Sequence, residues 1–339
     1  MRRIFHNTSF DFIKWWRVAA ALTVGFIVLG LGSFAITGGV NYSIEFTGGT
    51  LMQLEFKQPP GDAALRAAME KAGFTGAEVQ RFGSPTEYVV RVQEKASATE
   101  ATQGAEALPT RMKGAVESAF GAGNVTIART EAVSAKVGDE LSRGAFIAML
   151  LGSLITLIYL AIRFEWRFGV AAVLSTGHDI LVTFAFIKLM HLEVSLTIVA
   201  AILTLLGYSM NDTIIIFDRV RENLKKGRKE SLTAMLNRSI NETLPRSILT
   251  HATTLAATLA LLIFAGEVIR PFAWVMSFGV FVATFSSIYV ASPILLWIET
   301  KFPRAAAGAA AKRGQSLPPD VLATQPRPRV NKQQPAPAK

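Results

Sequence analysis

The run VAAALTVGFIVLGLGSFAIT (residues 18–37) decides the fold class, because it holds twenty residues without a charge. As a helix rising 1.5 Å per residue it is about 30 Å long, the thickness of a bilayer's hydrocarbon. The segment before it, MRRIFHNTSFDFIKWWR (1–17), is basic and aromatic. A signal peptide starts the same way, but its apolar core is only about 7–15 residues long. Residues 18–37 therefore read as an uncleaved transmembrane helix, with Trp15 and Trp16 at the membrane interface.

Five more apolar runs follow, at 145–162, 170–189, 194–217, 248–266 and 272–298. Gly144, Ala148 and Gly152 offer a small-residue packing face on the second span, and Pro293 is expected to kink the sixth. Composition agrees. Half of the 339 residues are hydrophobic and 18% are charged, against about 25% charged in soluble domains. The absence of cysteine excludes disulfides and thiolate metal sites, and the four histidines lack metal-ligand spacing. No cofactor or metal is expected.

The net charge of +10 would suit a nucleic-acid partner, but its placement argues for a membrane instead. Four basic residues precede the first span, and Arg163 and Arg167 join the second to the third. Eight lie between Arg219 and Arg246 and eight more from Lys301 onward, whereas the opposite short loops hold only Lys188 and Arg270. The positive-inside rule then places both termini in the cytoplasm, a parity that six spans satisfy.

Residues 38–143 have another character. TLMQLEF (50–56), AEVQRF (77–82), TEYVVRV (86–92) and NVTIART (124–130) alternate as strands, with helical patterns at 62–73 and 108–120. The order βαββαβ predicts a split, ferredoxin-like sheet outside the membrane, on the side opposite the termini. The expected organisation is thus a cytoplasmic start (1–17), a first transmembrane helix (18–37), a small α+β domain (38–143), transmembrane helices two to six (144–300) and a tail (301–339). That tail is rich in Ala, Pro, Lys and Arg and reads as disordered.

A charge at mid-membrane costs at least about 2.5–3.5 kcal/mol, so it marks candidate function. On the third span Ser175, Asp179 and Thr183 recur every four residues, with His178 beside them. On the fourth, Thr197, Thr204, Asn211 and Asp218 recur every seven, with Tyr208 and Asp212 on a neighbouring face. On the fifth, Arg246 is expected to open the helix ahead of Thr250, Thr254 and Thr258. Such steps share a helix face, and three such faces would make a hydratable path. Asp212 is the leading candidate and Arg246 its natural countercharge. Burial favours the neutral acid and a nearby arginine favours the carboxylate, so a conformational change would load and unload a proton. Simple hydrogen bonding of Asp212 to neighbouring helices, local pairing of Asp179 with His178, an interfacial cluster at Asp218, a simple anchoring role for Arg246 and threonines bonded to their own helix are the structural alternatives.

These residues lie in recognisable stretches. NYSIEFTGGT (41–50), GHDILVT (177–183), GYSMNDTIIIFDRVREN (207–223) and PRSILTHATT (245–254) resemble the SecF family in order and spacing, over about residues 10–300. Glu45 stands where the family usually has Asp. The resemblance implies a subunit that pairs with SecD, associates with the SecYEG channel in the inner membrane and uses the proton motive force to promote preprotein export. YajC and YidC are further candidate partners. It also implies that Asp212 and Arg246 serve proton passage. Asp179, Asn211, Asp218 and Thr250 complete the expected pathway. Glu45, Phe46, Thr47, Gly48 and Gly49 lie where the first helix meets the sheet, as a hinge or as plain loop closure. The family in turn resembles the resistance-nodulation-division transporters, so the alternatives are a small-molecule or lipid exporter of that superfamily and a passive scaffold. No nucleophile–base pair, metal cluster or phosphate loop points to an enzyme.

Overall fold

The structure, a computed structural model, describes residues 8–93, 104–226, 230–266 and 268–302. The tail expected to be disordered, from residue 303, lies outside the described residues, as do residues 94–103 of the polar linker EKASATEATQGAE (94–106). The chain enters through a 3-10 turn (Ile13–Trp15) into α1 (Trp16–Thr37), then a single helical turn, α2 (Ile44–Thr47). A small α+β unit follows: β1 (Gly49–Phe56), α3 (Asp62–Lys71), β2 (Glu78–Arg81), β3 (Glu87–Val92), α4 (Gly104–Phe120) and β4 (Val125–Val133). The rest is helical: α5 (Ala135–Arg163), α6 (Trp166–Leu189), α7 (Leu196–Lys225), α8 (Leu232–Phe264) and α9 (Arg270–Ser286), then a π turn (Ser287–Ala291) and α10 (Ser292–Lys301). Among the described residues, six helical segments are long and apolar enough to cross a membrane, α9 to α10 counting as one.

The sheet is antiparallel throughout, in the order β2-β3-β1-β4. Alternation along the strands builds its core. Met52, Leu54 and Phe56 of β1 and Tyr88, Val90 and Val92 of β3 face Leu65 and Met69 of α3 and Met112 and Val116 of α4. Phe56 meets Tyr88 and Phe120 edge to face at 5.6 and 5.4 Å. β4 runs past the expected residue 130, because Val133 still pairs with Gly49. Ser134 then caps α5 directly, its hydroxyl accepting the Val137 N–H, so the helix begins at the sheet, ahead of its apolar run.

The helices approach closely where side chains are small. A Cβ added to Gly30 of α1 would lie 2.3 Å from that of Ala185, and one on Gly279 of α9 would lie 2.5 Å from Leu205 of α7. The face expected from Gly144, Ala148 and Gly152 is not such a seam. Within this chain Gly144 meets open space, and a Cβ on Gly152 would lie 3.3 Å from Leu203. The helix α5 packs near the sheet and presents its apolar middle outward, with nothing in its most apolar stretch buried.

Two further corrections concern helix ends. α8 starts at Leu232, so Arg246 lies well inside it beside Pro245 and does not open it. Hydropathy missed the first turns because they are polar. Those turns hold the chain's start: Asn241 exchanges two hydrogen bonds with the Phe10 backbone, and Asn237 accepts the Ile13 N–H. In the sixth span the break expected at Pro293 falls just before it, as the π turn. Proline has no N–H to continue the ladder, and Ser292 Oγ donates to the Ser287 carbonyl at 3.1 Å.

Two carboxylates in hydroxyl cradles

α6, α7 and α9 pack together around two buried aspartates. Asp212 is 3% exposed and Asp179 is 2% exposed. Asp212 on α7 accepts the hydroxyl of Ser247 from α8 and that of Ser287 from the π turn, the latter at 2.6 Å. Asp179 on α6 accepts the hydroxyls of Ser209 from α7 and of Ser286 at the end of α9, the latter at 2.7 Å. The His178 Nδ1 lies 3.0 Å from its other oxygen, the local pairing foreseen as one alternative. Ser209 and Asp212 are three residues apart on α7, and Ser286 and Ser287 are consecutive, so the two cradles share two of their walls.

One hydroxyl in each cradle could serve a carboxyl in either protonation state. A carboxylate has only lone pairs to offer and takes two hydroxyl protons; a carboxylic acid must donate one itself. Ser287 Oγ also lies 3.1 Å from the Thr284 carbonyl, and Ser286 Oγ lies 3.2 Å from that of Ala283. Each serine can turn its proton to its own helix when the acid becomes the donor. The space beside Asp179, between Thr176, Thr183, Ile202 and Leu205, is about 10 Å³, room for roughly one water.

The other expected pathway residues are distributed differently. The α6 stripe turns inward: Ser175 and Thr183 are buried with Asp179. The seven-residue stripe of α7 does not. Thr204, Asn211 and Asp218 are all exposed, and Asp218 pairs with Arg163 at 3.5 Å. Arg246 is exposed as well, and its neighbour Ser247, not its own guanidinium, reaches Asp212. Thr250 is half-buried and its carbonyl faces the Tyr208 hydroxyl at 3.4 Å. Thr254 and Thr258 donate to carbonyls of their own helix.

At the end of the bundle that carries the sheet, residues 44–49 form a pinned corner. Gly48 and Gly49 have φ of 71° and 129°. An added Cβ would meet the Ala135 backbone at 2.7 Å in the first case and the Val92 carbonyl at 2.3 Å in the second, so only glycine fits. Phe46 stacks edge-on against Tyr42, and the Thr47 hydroxyl donates back to the Ser43 carbonyl. The Glu45 carboxylate accepts the Leu196 N–H at 2.6 Å and the Ser43 hydroxyl at 3.2 Å.

Both regions coincide with family signatures. Residues 34–60 match the SecD/SecF GG motif, and residues 113–301 match the C-terminal region of the SecD/SecF protein export membrane proteins. A protein translocase subunit SecF from Gemmatimonas aurantiaca is 64% identical over 320 residues, covering 93% of this chain and 96% of that protein. The chain belongs to the SecF family. A SecF from Vibrio alginolyticus is 38% identical over 85% of this chain and 89% of its own length. The crystal structure of SecDF from Thermus thermophilus, described as a translocon-associated membrane protein, superposes with a TM-score of 0.75 at 35% identity. That match covers 87% of this chain but 39% of the SecDF chain. A SecDF in its super-membrane-facing form gives 0.63 at 34% identity, covering 91% and 40%. This SecF-family chain thus spans about two-fifths of SecDF.

Sequence reading missed the four serines. Ser is ambiguous in a helix, because its hydroxyl is satisfied by its own backbone as readily as by a partner. One signal was available: Ser286 and Ser287 are adjacent polar residues inside an uncharged span, six residues before Pro293 in the second case.

Proposed function

We propose that this chain is the SecF half of a Sec-translocase accessory motor, coupling proton passage at Asp212 to preprotein export. The observation that carries this reading is Asp212 itself, a buried carboxyl on a helix long and apolar enough to cross a membrane, which accepts the hydroxyls of Ser247 and Ser287. Each proton crossing about 100 mV releases roughly 2.3 kcal/mol, enough to bias a conformational equilibrium about fiftyfold.

The exposed face of α7 and α8 supports a membrane partner. Thr204, Asn211 and Arg246 point away from the chain's own bundle, and such groups are costly against acyl chains. A second six-helix subunit with a carboxyl opposite Arg246 would cover and neutralise that face. SecD is the natural occupant, since SecDF chains are more than twice the length matched here. SecYEG, YajC and YidC belong to the same proposed assembly. The lysine and arginine asymmetry supports cytoplasmic termini and a periplasmic sheet. The sheet's β2-β3-β1-β4 order, with one strand inserted between β1 and β2, supports the ferredoxin-like plan.

The substitution Asp212→Asn tests this. Export should fall to the level seen when the gradient is collapsed, with insertion and partner binding intact. Undiminished gradient-dependent export would leave the scaffold reading in its place.

A further inference from the structure

The loop between α6 and α7, residues 190–195, joins the two helices that carry the buried aspartates, and it is fastened to the sheet by charge. On β3 the residues Tyr88, Val90 and Val92 face the domain core, so Arg91 points to the opposite face. That face of a small sheet would ordinarily meet water, yet Arg91 is only 7% exposed. It forms an ion pair with Glu193 of the loop and a second, at 3.1 Å, with Glu78 of β2. A guanidinium's planar fork fixes the direction of both partners.

Three further ties converge on the same loop. Val194 pairs with the segment after α1, its N–H donating to the Asn41 carbonyl at 2.7 Å and its carbonyl accepting the Ser43 N–H at 2.9 Å. Lys188, buried at the end of α6, donates to the carbonyls of Gly38 and Gly39 at 2.8 and 2.5 Å. Glu45 caps α7, where a carboxylate meets both an unpaired N–H and the positive end of the helix dipole. From Leu196 the helix runs unbroken to Asp212, and an α-helix moves as a rod over such a length.

We propose that this loop is a coupling strap, in which Arg91, Glu193 and Glu45 are positioning residues that make the sheet and the outer end of α7 move together. The strap rests on the proton-coupled reading of Asp212. It stays closed through the cycle, so a rearrangement of the Asp212 cradle displaces the sheet, and a load on the sheet is felt at Asp212.

The test uses the full chain with its membrane partners in lipid vesicles, with two readouts: gradient-driven export and carbodiimide labelling of Asp212. Arg91→Ala and Glu193→Gln should each lower gradient-stimulated export about tenfold or more, while labelling of Asp212 still responds to the gradient. Glu193, on the more open side of the pair, carries the test should Arg91→Ala fail to accumulate. The chain has no cysteine, so Arg91→Cys with Glu193→Cys can be joined by a short reducible bis-thiosulfonate linker. Export should return when linked and be lost again on reduction. Export within about twofold of wild type in the single variants, or no recovery on linking, would overturn the strap. Asp212→Asn separates the two claims: if that variant exports normally the motor reading fails, and if it alone is impaired only the strap fails.

Discussion

The sheet and the helix bundle have cores built on opposite terms. In the sheet, Met52, Leu54, Tyr88 and Val90 are sealed against α3 and α4 with no carboxylate or cation among them. Water drives that core together, and alternation alone tells inside from outside. In the bundle the most buried positions include Asp179, Thr183, Ser209, Asp212, Ser286 and Ser287. Lipid supplies no comparable drive between helices, so close glycine contacts and hydrogen bonds hold them. An apolar core has one best state. A core of hydroxyls and carboxyls can be hydrogen-bonded in more than one way, and the proposed proton site therefore lies in the bundle and not in the sheet.

Mutations should separate the two cores. The largest effect is expected from Ser247→Ala combined with Ser287→Ala, which strips both hydroxyls from Asp212. Two bonds to a charged group at about 1.5–3 kcal/mol each should lower gradient-stimulated export at least about a hundredfold, with the protease resistance of the sheet unchanged. The converse is Leu54→Ala, which should cost the sheet about 2–5 kcal/mol. Proteolysis of the full chain should then cut within the sheet while the spans remain protected.

Smaller changes sharpen the contrast. Ser287→Ala alone should lower stimulated export about tenfold, and Ser287→Thr, which keeps the hydroxyl, should restore most of it. Asp218→Asn should do least. Its pair with Arg163 spans 3.5 Å with both side chains about half exposed, and such pairs contribute about 0–1 kcal/mol and weaken with salt. A larger effect, persisting at high ionic strength, would move Asp218 from the interface into the proton path.

Much of the fold was legible because two periodicities are strong. Twenty uncharged residues have few alternatives to a membrane helix, and period-two alternation marked each strand to within a few residues. Asp179 and Asp212 were legible for the same reason, since a charge in such a run is conspicuous. The site's donors were not: serine is cheap anywhere in a helix, and its partner lies on another helix that sequence spacing does not reveal. Arg246 misled because hydropathy detects only the apolar part of α8. Once the helix is seen to begin at Leu232, Arg246 falls on its outer face and Ser247 on its inner one. The α7 stripe of Thr204, Asn211 and Asp218 is a true periodicity that lies on the exposed face of this chain rather than inside its own bundle.

Infrared difference spectra of the full chain with its partners in vesicles, recorded as a pH gradient is imposed and released, test the ionisation change at Asp212 most directly. The expected result is a protonated-carboxyl band that rises and falls with the gradient, disappears in Asp212→Asn and survives in Asp179→Asn. A band indifferent to the gradient, or one that persists without the Asp212 carboxyl, would contradict it.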